Sequence, residues 1–134
     1  RICDNALAIA YFLKNHAKVA WVNYAGLPEH RDHAMAQKYM GGKASGIISF
    51  GVKSEADAMA AGGRFQDALQ LFTRLVNIGD AKSLACHPAS TTHRQLNPAE
   101  LAKAGVSVDM VRLSVGIEHI DDLLADLEQA LAAV

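Results

Sequence analysis

Apolar residues recur along this chain at two different spacings, and the spacings separate helices from strands. In "ICDNALAIAYFLKN" Ile2, Ala6, Ile9, Ala10 and Leu13 fall at helical intervals, which predicts an amphipathic helix running from the first residues. "KVAWVNYAGL" is an apolar run rich in β-formers and ended by Gly26 and Pro28, so it reads as a strand. "EHRDHAMAQKYM" reads as a short helix stopped by Gly41 and Gly42. The clearest strand is "SGIISFGV", residues 45–52, with β-branched and aromatic residues between glycines. "KSEADAMAAGG" fits a loop with some helix. In "RFQDALQLFTRLVNIG" Phe65, Ala68, Leu69, Phe72 and Val76 make one stripe, predicting a helix that continues to about Leu75. "KSLACHP" predicts a short strand ending at Pro88.

The second half carries sharper punctuation. In "NPAELAKAG" Asn97 can cap a helix, Pro98 suits its first position, Glu100 completes a capping box and Gly105 suits the residue past its end. "DMVRLSVG" alternates as a strand does. The last helix starts at Ile120, with Leu123, Leu124, Leu127, Leu131 and Val134 on one face and Asp121 and Asp122 in its first turn. Helices and strands thus alternate. That order suits a parallel doubly wound sheet or a small antiparallel sheet with helices on one face, and the pattern alone leaves both open. No glycine-rich phosphate turn follows any strand.

Composition narrows the classes. The 134 residues suit one domain, and 51% of them are hydrophobic, enough for a core without metal or disulfide staples. A net charge of −1 gives no sign of a nucleic-acid or membrane partner. Cys3 and Cys86 make no disulfide framework, which points to a reducing, cytoplasmic setting. There is no initiator Met, and the helical pattern is already running at residue 1, so the chain reads as part of a larger protein.

The densest chemistry lies in "SLACHPASTTHRQL", residues 83–96. His87 and His93 with Cys86 are a poor zinc set, because adjacent residues of an extended segment point to opposite faces. His30 and His33 of "HRDH" are a weaker set still, and no metal site is expected. No cation or helix N-terminus is evident to activate Cys86, which reads as a small buried strand residue. Ser90, Thr91 and Thr92 follow a proline without a nucleophile elbow, and suit local loop hydrogen bonds. Arg112 stands out inside the apolar strand "MVRLSVGIE". A guanidinium there needs a carboxylate partner or an outlet at the sheet surface. The residues favour an internal salt bridge, with Glu118 the candidate; the alternative is a forked donor for the carboxylate of a small substrate.

Taken together, "KVAWVNYAGLPEHRDHAMAQKYM", "GIISFGVK", "NIGDAKSLACHPASTTH" and "VRLSVGIEHIDDLLADLEQAL" resemble, in order, the C-terminal part of the Cys/Met-metabolism enzymes, which are fold-type I pyridoxal-phosphate proteins. The likeness covers nearly the whole chain and is greatest to the O-acetylhomoserine sulfhydrylase branch. It implies an α/β, two-layer domain with a small, mostly antiparallel sheet and helices on one face. It also implies that residues 1–134 are the C-terminal domain of a larger enzyme. Arg112 matches the arginine that binds the substrate α-carboxylate in the family. Asn77 stands where many relatives place a serine near that carboxylate, and its amide can still donate. His87, Thr92 and His93 would shape the active-site wall and hold its loop.

The resemblance also implies what lies elsewhere. The family carries pyridoxal phosphate on a lysine in a Ser-x-Thr-Lys context. None of Lys14, Lys18, Lys38, Lys43, Lys53, Lys82 and Lys103 has that context. No catalytic or cofactor-binding residue is therefore expected in these residues, and the chain alone should be inactive and bind no cofactor. Its partners would be the enzyme's own N-terminal cofactor domain, an amino-acid substrate and further copies in a homo-oligomer, a tetramer in many relatives. The complete enzyme would replace the γ-acetoxy group of O-acetylhomoserine with sulfide or a thiol. A methionine γ-lyase, a cystathionine γ-synthase and a non-catalytic amino-acid-binding or interaction module are the alternatives.

Overall fold

The computed structural model describes residues 1–134. Five helices and five strands follow in the order α1 (Ile2–Asn15), β1 (Val19–Asn23), α2 (His33–Met40), β2 (Ile47–Val52), α3 (Ala58–Ala68), β3 (Thr73–Arg74), β4 (Leu84–Cys86), α4 (Pro98–Lys103), β5 (Met110–Ser114) and α5 (Ile120–Ala132), with a 3-10 turn at Pro88–Ser90. The strands form one sheet in the order β1-β2-β5-β4-β3. β1–β2, β2–β5 and β5–β4 pair antiparallel, and only the two-residue edge strand β3 runs parallel to its neighbour. The architecture is thus the mostly antiparallel α/β sheet that the resemblance implied. A doubly wound parallel sheet is excluded.

Strand alternation fixes which side holds the core. Ile48, Phe50 and Val52 of β2, Val111 and Leu113 of β5 and Ala85 of β4 point one way, into a cluster completed by Ala6, Ile9, Ala10 and Leu13 of α1, Ala61 and Phe65 of α3, and Leu123, Leu127, Ala130 and Leu131 of α5. Phe50 and Phe65 meet edge to face with ring centroids 5.5 Å apart. The opposite face is partly covered: Leu84, Cys86 and Ser114 on it are buried, and Ser49 and Arg112 are half-buried. Helix α4 and the 3-10 turn sit over one end of it, where Ala89, Leu101 and Val106 form a small separate cluster packed on Met110.

The sequence cues at α4 act as expected. The Asn97 side chain accepts from the backbone N–H groups of Ala99 and Glu100, each at 3.0 Å, and Glu100 reaches back to the Asn97 N–H at 2.9 Å. Gly41 stops α2 in the left-handed region with φ +60°.

One expectation fails. The helix predicted to reach Leu75 stops at Ala68, and the chain turns into β3. Phe65 and Phe72 of its apolar stripe do bury, but Val76 is exposed, and α5 ends the helix. Buried Asp126 accepts the N–H groups of Gln70, Leu71 and Phe72 at 2.8–2.9 Å, and Gln129 donates to the Ala68 carbonyl at 2.7 Å. These two side chains satisfy the backbone groups that continued helix would have paired. At its start α3 begins inside the stretch read as a loop with some helix, capped by Asp57.

Candidate functional site

β5 alternates between the core and the opposite face, so Val111 and Leu113 bury while Met110, Arg112 and Ser114 face away from the main helices. Arg112 pairs with Ser49 of β2 on one side and Cys86 of β4 on the other, and Ser49 pairs in turn with Asn23 of β1. Asn23, Ser49, Arg112 and Cys86 therefore form one row across four strands. Arg112 is half-exposed and makes no salt bridge. Its only protein partner is the Val76 carbonyl, which takes a hydrogen bond from Nη2.

That carbonyl belongs to the segment after β3, which crosses back over this face. Gly79 N–H donates to the Ser114 hydroxyl at 3.0 Å, pinning the segment above β5. Asn77 follows Val76 directly and is exposed. Arg112 and the Asn77 segment are thus brought together although Val76 and Arg112 are 36 positions apart in the chain.

The internal partner expected for Arg112 is committed elsewhere. Glu118 accepts the Ser83 N–H at 2.7 Å and the Ser83 hydroxyl at 2.8 Å. Ser83 Oγ also accepts the Gly116 N–H at 2.8 Å. The salt bridge favoured by the sequence does not form, and the guanidinium's remaining donors have no protein partner.

His87, expected on an active-site wall, is fully buried instead. Nε2 donates to the Val108 carbonyl at 2.9 Å, and Nδ1 accepts from the Ser90 hydroxyl at 2.8 Å, one neutral tautomer satisfying both. The ring lies against Gly62 of α3, where a Cβ would collide with it. Its position suits holding the 87–91 loop. Thr92 is exposed and His93 half-buried, the two side chains sharing a 2.7 Å hydrogen bond. A small hollow of about 140 Å³ beside the edge strands is lined by Thr91, Cys86 and Val76 rather than by Thr92 or His93.

A larger hollow, about 780 Å³, opens on the other side of Arg112 and is lined in part by Asn23, His30, Asp32, Ile47 and Ser49. No lysine lines either hollow. Lys14 and Lys43 are ion-paired with Glu29 and Asp4, and the Lys18 amine is held by the Val134 carbonyl. Neither hollow therefore offers an amine for an imine.

Comparison with known proteins decides the family. The model of the Cys/Met metabolism PLP-dependent enzymes matches residues 1–132. The chain belongs to that family. Among the Cys/Met-metabolism enzymes it is 52% identical over 132 residues to O-acetyl-L-homoserine sulfhydrylase 1 of Thermus thermophilus, covering 98% of the chain and 31% of the relative. It is 49% identical over 134 residues to an L-methionine gamma-lyase of Pseudomonas deceptionensis, covering 100% and 33%. A Campylobacter jejuni crystal structure named for O-acetylhomoserine (thiol)-lyase, which carries a pyridoxyl-lysine phosphate, superposes with a TM-score of 0.87 at 44% identity, covering 98% of the chain and 30% of that protein. The chain spans about a third of the length of the family members it matches.

Val76 and Ser114 escaped the sequence reading. Ser114 carried a usable signal, since it lies two positions from Arg112 and so on the same face. Val76 offers only a backbone oxygen, which no sequence pattern marks.

Proposed function

We propose that this chain is the substrate-carboxylate-binding, C-terminal domain of an O-acetylhomoserine sulfhydrylase, an enzyme that exchanges the γ-acetoxy group for sulfide or a thiol and makes homocysteine or methionine. The observation that carries this is the state of Arg112: a mid-strand guanidinium, on the face away from the core, unpaired with any acid and steadied by one carbonyl. Such a fork is pre-organised for a planar carboxylate. The neighbouring Asn77, exposed beside Val76, would add an amide donor. Both would hold the amino acid in one orientation relative to a pyridoxal phosphate bound by other polypeptide, which when bound supplies the electron sink. Orientation matters because a displacement of about 1 Å can cost on the order of a hundredfold in rate.

The test uses the full-length enzyme. Sulfide-dependent consumption of O-acetylhomoserine is expected. Arg112→Ala should lower kcat/KM by about 10- to 100-fold, the loss of a charge-assisted hydrogen-bond pair. Arg112→Lys should recover only part of it. The 49% identity to a methionine gamma-lyase supports a second reading, γ-elimination. Release of a 2-oxo acid and ammonia without sulfide would replace the first reading with the second.

A further inference from the structure

The hollow beside Arg112 has an ordered polar floor that carboxylate binding does not use. His30 Nδ1 accepts the Asp32 N–H at 3.1 Å, so the ring proton sits on Nε2. Nε2 then donates to Asn23 Oδ1 at 2.7 Å. This fixes the Asn23 amide with its oxygen toward His30 and both Nδ2 protons left over. Ser49, the next residue in the row, has no protein partner for its hydroxyl, and because no buried polar atom is left unpaired that hydroxyl is open to solvent.

We infer that Asn23, positioned by His30, together with Ser49 forms a subsite for a neutral carbonyl oxygen at the end of an amino-acid substrate farthest from its α-carboxylate. The inference rests on the carboxylate reading of Arg112 and adds the acyl group to it. β1 and β5 lie two strand spacings apart, about 10 Å, an interval that an amino acid extended by a γ-acyl ester can bridge. The offered groups are donors, so the ligand must present an acceptor. The charges nearby favour a neutral one: two acids, Glu29 and Asp32, line the hollow, and the one cation lining it, Arg31, is largely exposed and turned to Asp32 through Nε. An acyl chain ending in a second carboxylate would meet those two acids. The subsite thus selects an acetyl-type ester over a carboxylate-terminated one.

The experiment measures dissociation constants on the full-length holoenzyme with two unreactive amino acids of equal length. One carries a side-chain amide carbonyl in place of the ester, and the other has an all-alkyl side chain. The wild type should prefer the amide by about three- to tenfold, the value of a net hydrogen bond. Asn23→Leu and Ser49→Ala should each reduce that preference while leaving the alkyl ligand within about twofold. Asn23→Asp keeps the acceptor for His30 and removes the donors, so loss of preference in this variant cannot be ascribed to a disturbed loop. His30→Ala should weaken the preference and spare the alkyl ligand. A wild type without the preference, or a preference that survives in Asn23→Asp and Ser49→Ala, overturns the subsite. Arg112→Ala should weaken both ligands equally; if it weakens neither, the carboxylate reading fails independently.

Discussion

Glu118 and Ser83 are joined twice, the carboxylate taking both the backbone N–H and the hydroxyl of the serine at 2.7 and 2.8 Å. The pairing ties the entry to β4 to the segment after β5, and it leaves Arg112 without an internal acid. Asn5 adds to the same corner from α1, donating to the Gly116 and Glu118 carbonyls at 3.1 and 3.0 Å. Glu118→Ala should therefore destabilise the domain by about 1.5–3 kcal/mol, the range for hydrogen bonds to a charged group. Urea unfolding measures this, and an unchanged midpoint would assign the corner no weight.

Asp126 should matter as much. It is the sole side-chain acceptor for three consecutive N–H groups after α3. Asp126→Ala leaves the buried Phe72 N–H and two part-buried donors unpaired and should cost about 1–3 kcal/mol. Amide hydrogen exchange at Gln70, Leu71 and Phe72 should accelerate ahead of the strands, and exchange that stays slow would contradict the assignment.

Two adjacent glycines of α3 should respond with opposite signs. A Cβ at Gly62 would run into the His87 ring, whereas one at Gly63 meets nothing within 4 Å. Gly62→Ala should destabilise by about 1–3 kcal/mol through overpacking. Gly63→Ala should stabilise by about 0.5–1 kcal/mol through helix propensity. Thermal melts of the two variants make the comparison.

Tyr24 gives a pH dependence. Burial pushes its hydroxyl up to about 12 from an ordinary value of 10.0, and the neutral form donates to the Ser45 carbonyl at 2.9 Å. The folded state holds this proton more tightly than the unfolded chain. Its contribution is thus full below pH 10 and is lost as pH rises toward 12. Tyr24→Phe should be less stable at neutral pH yet lose less stability between pH 10 and 12. Unfolding free energies at several alkaline pH values test it.

The residues that could be read in advance are those whose cues are local. The Asn97, Pro98, Glu100 and Gly105 signature names α4 outright, and most of the α1 and α5 stripes bury, with Ile2, Leu124 and Val134 half-buried at their margins. The end of α3 could not be read, because its terminator is a carboxylate more than fifty positions downstream. The same holds for the face opposite the core. Arg112 was conspicuous as a charge among apolar neighbours, but the choice between an inward and an outward role depended on where Glu118 and Ser83 meet. The row joining Arg112 to Ser49 and Asn23 exists only once the register of three strands is set.

That register couples foldability to aim. Sliding β5 by a single position along β2 would turn the cation into the core that holds Phe50 and Phe65 while Val111 and Leu113 turned out of it. A misthreaded domain could not mature as a well-packed but blunt receptor; it would be discarded as an unfolded one, so quality control on the hydrocarbon interior also guards the direction of the grip.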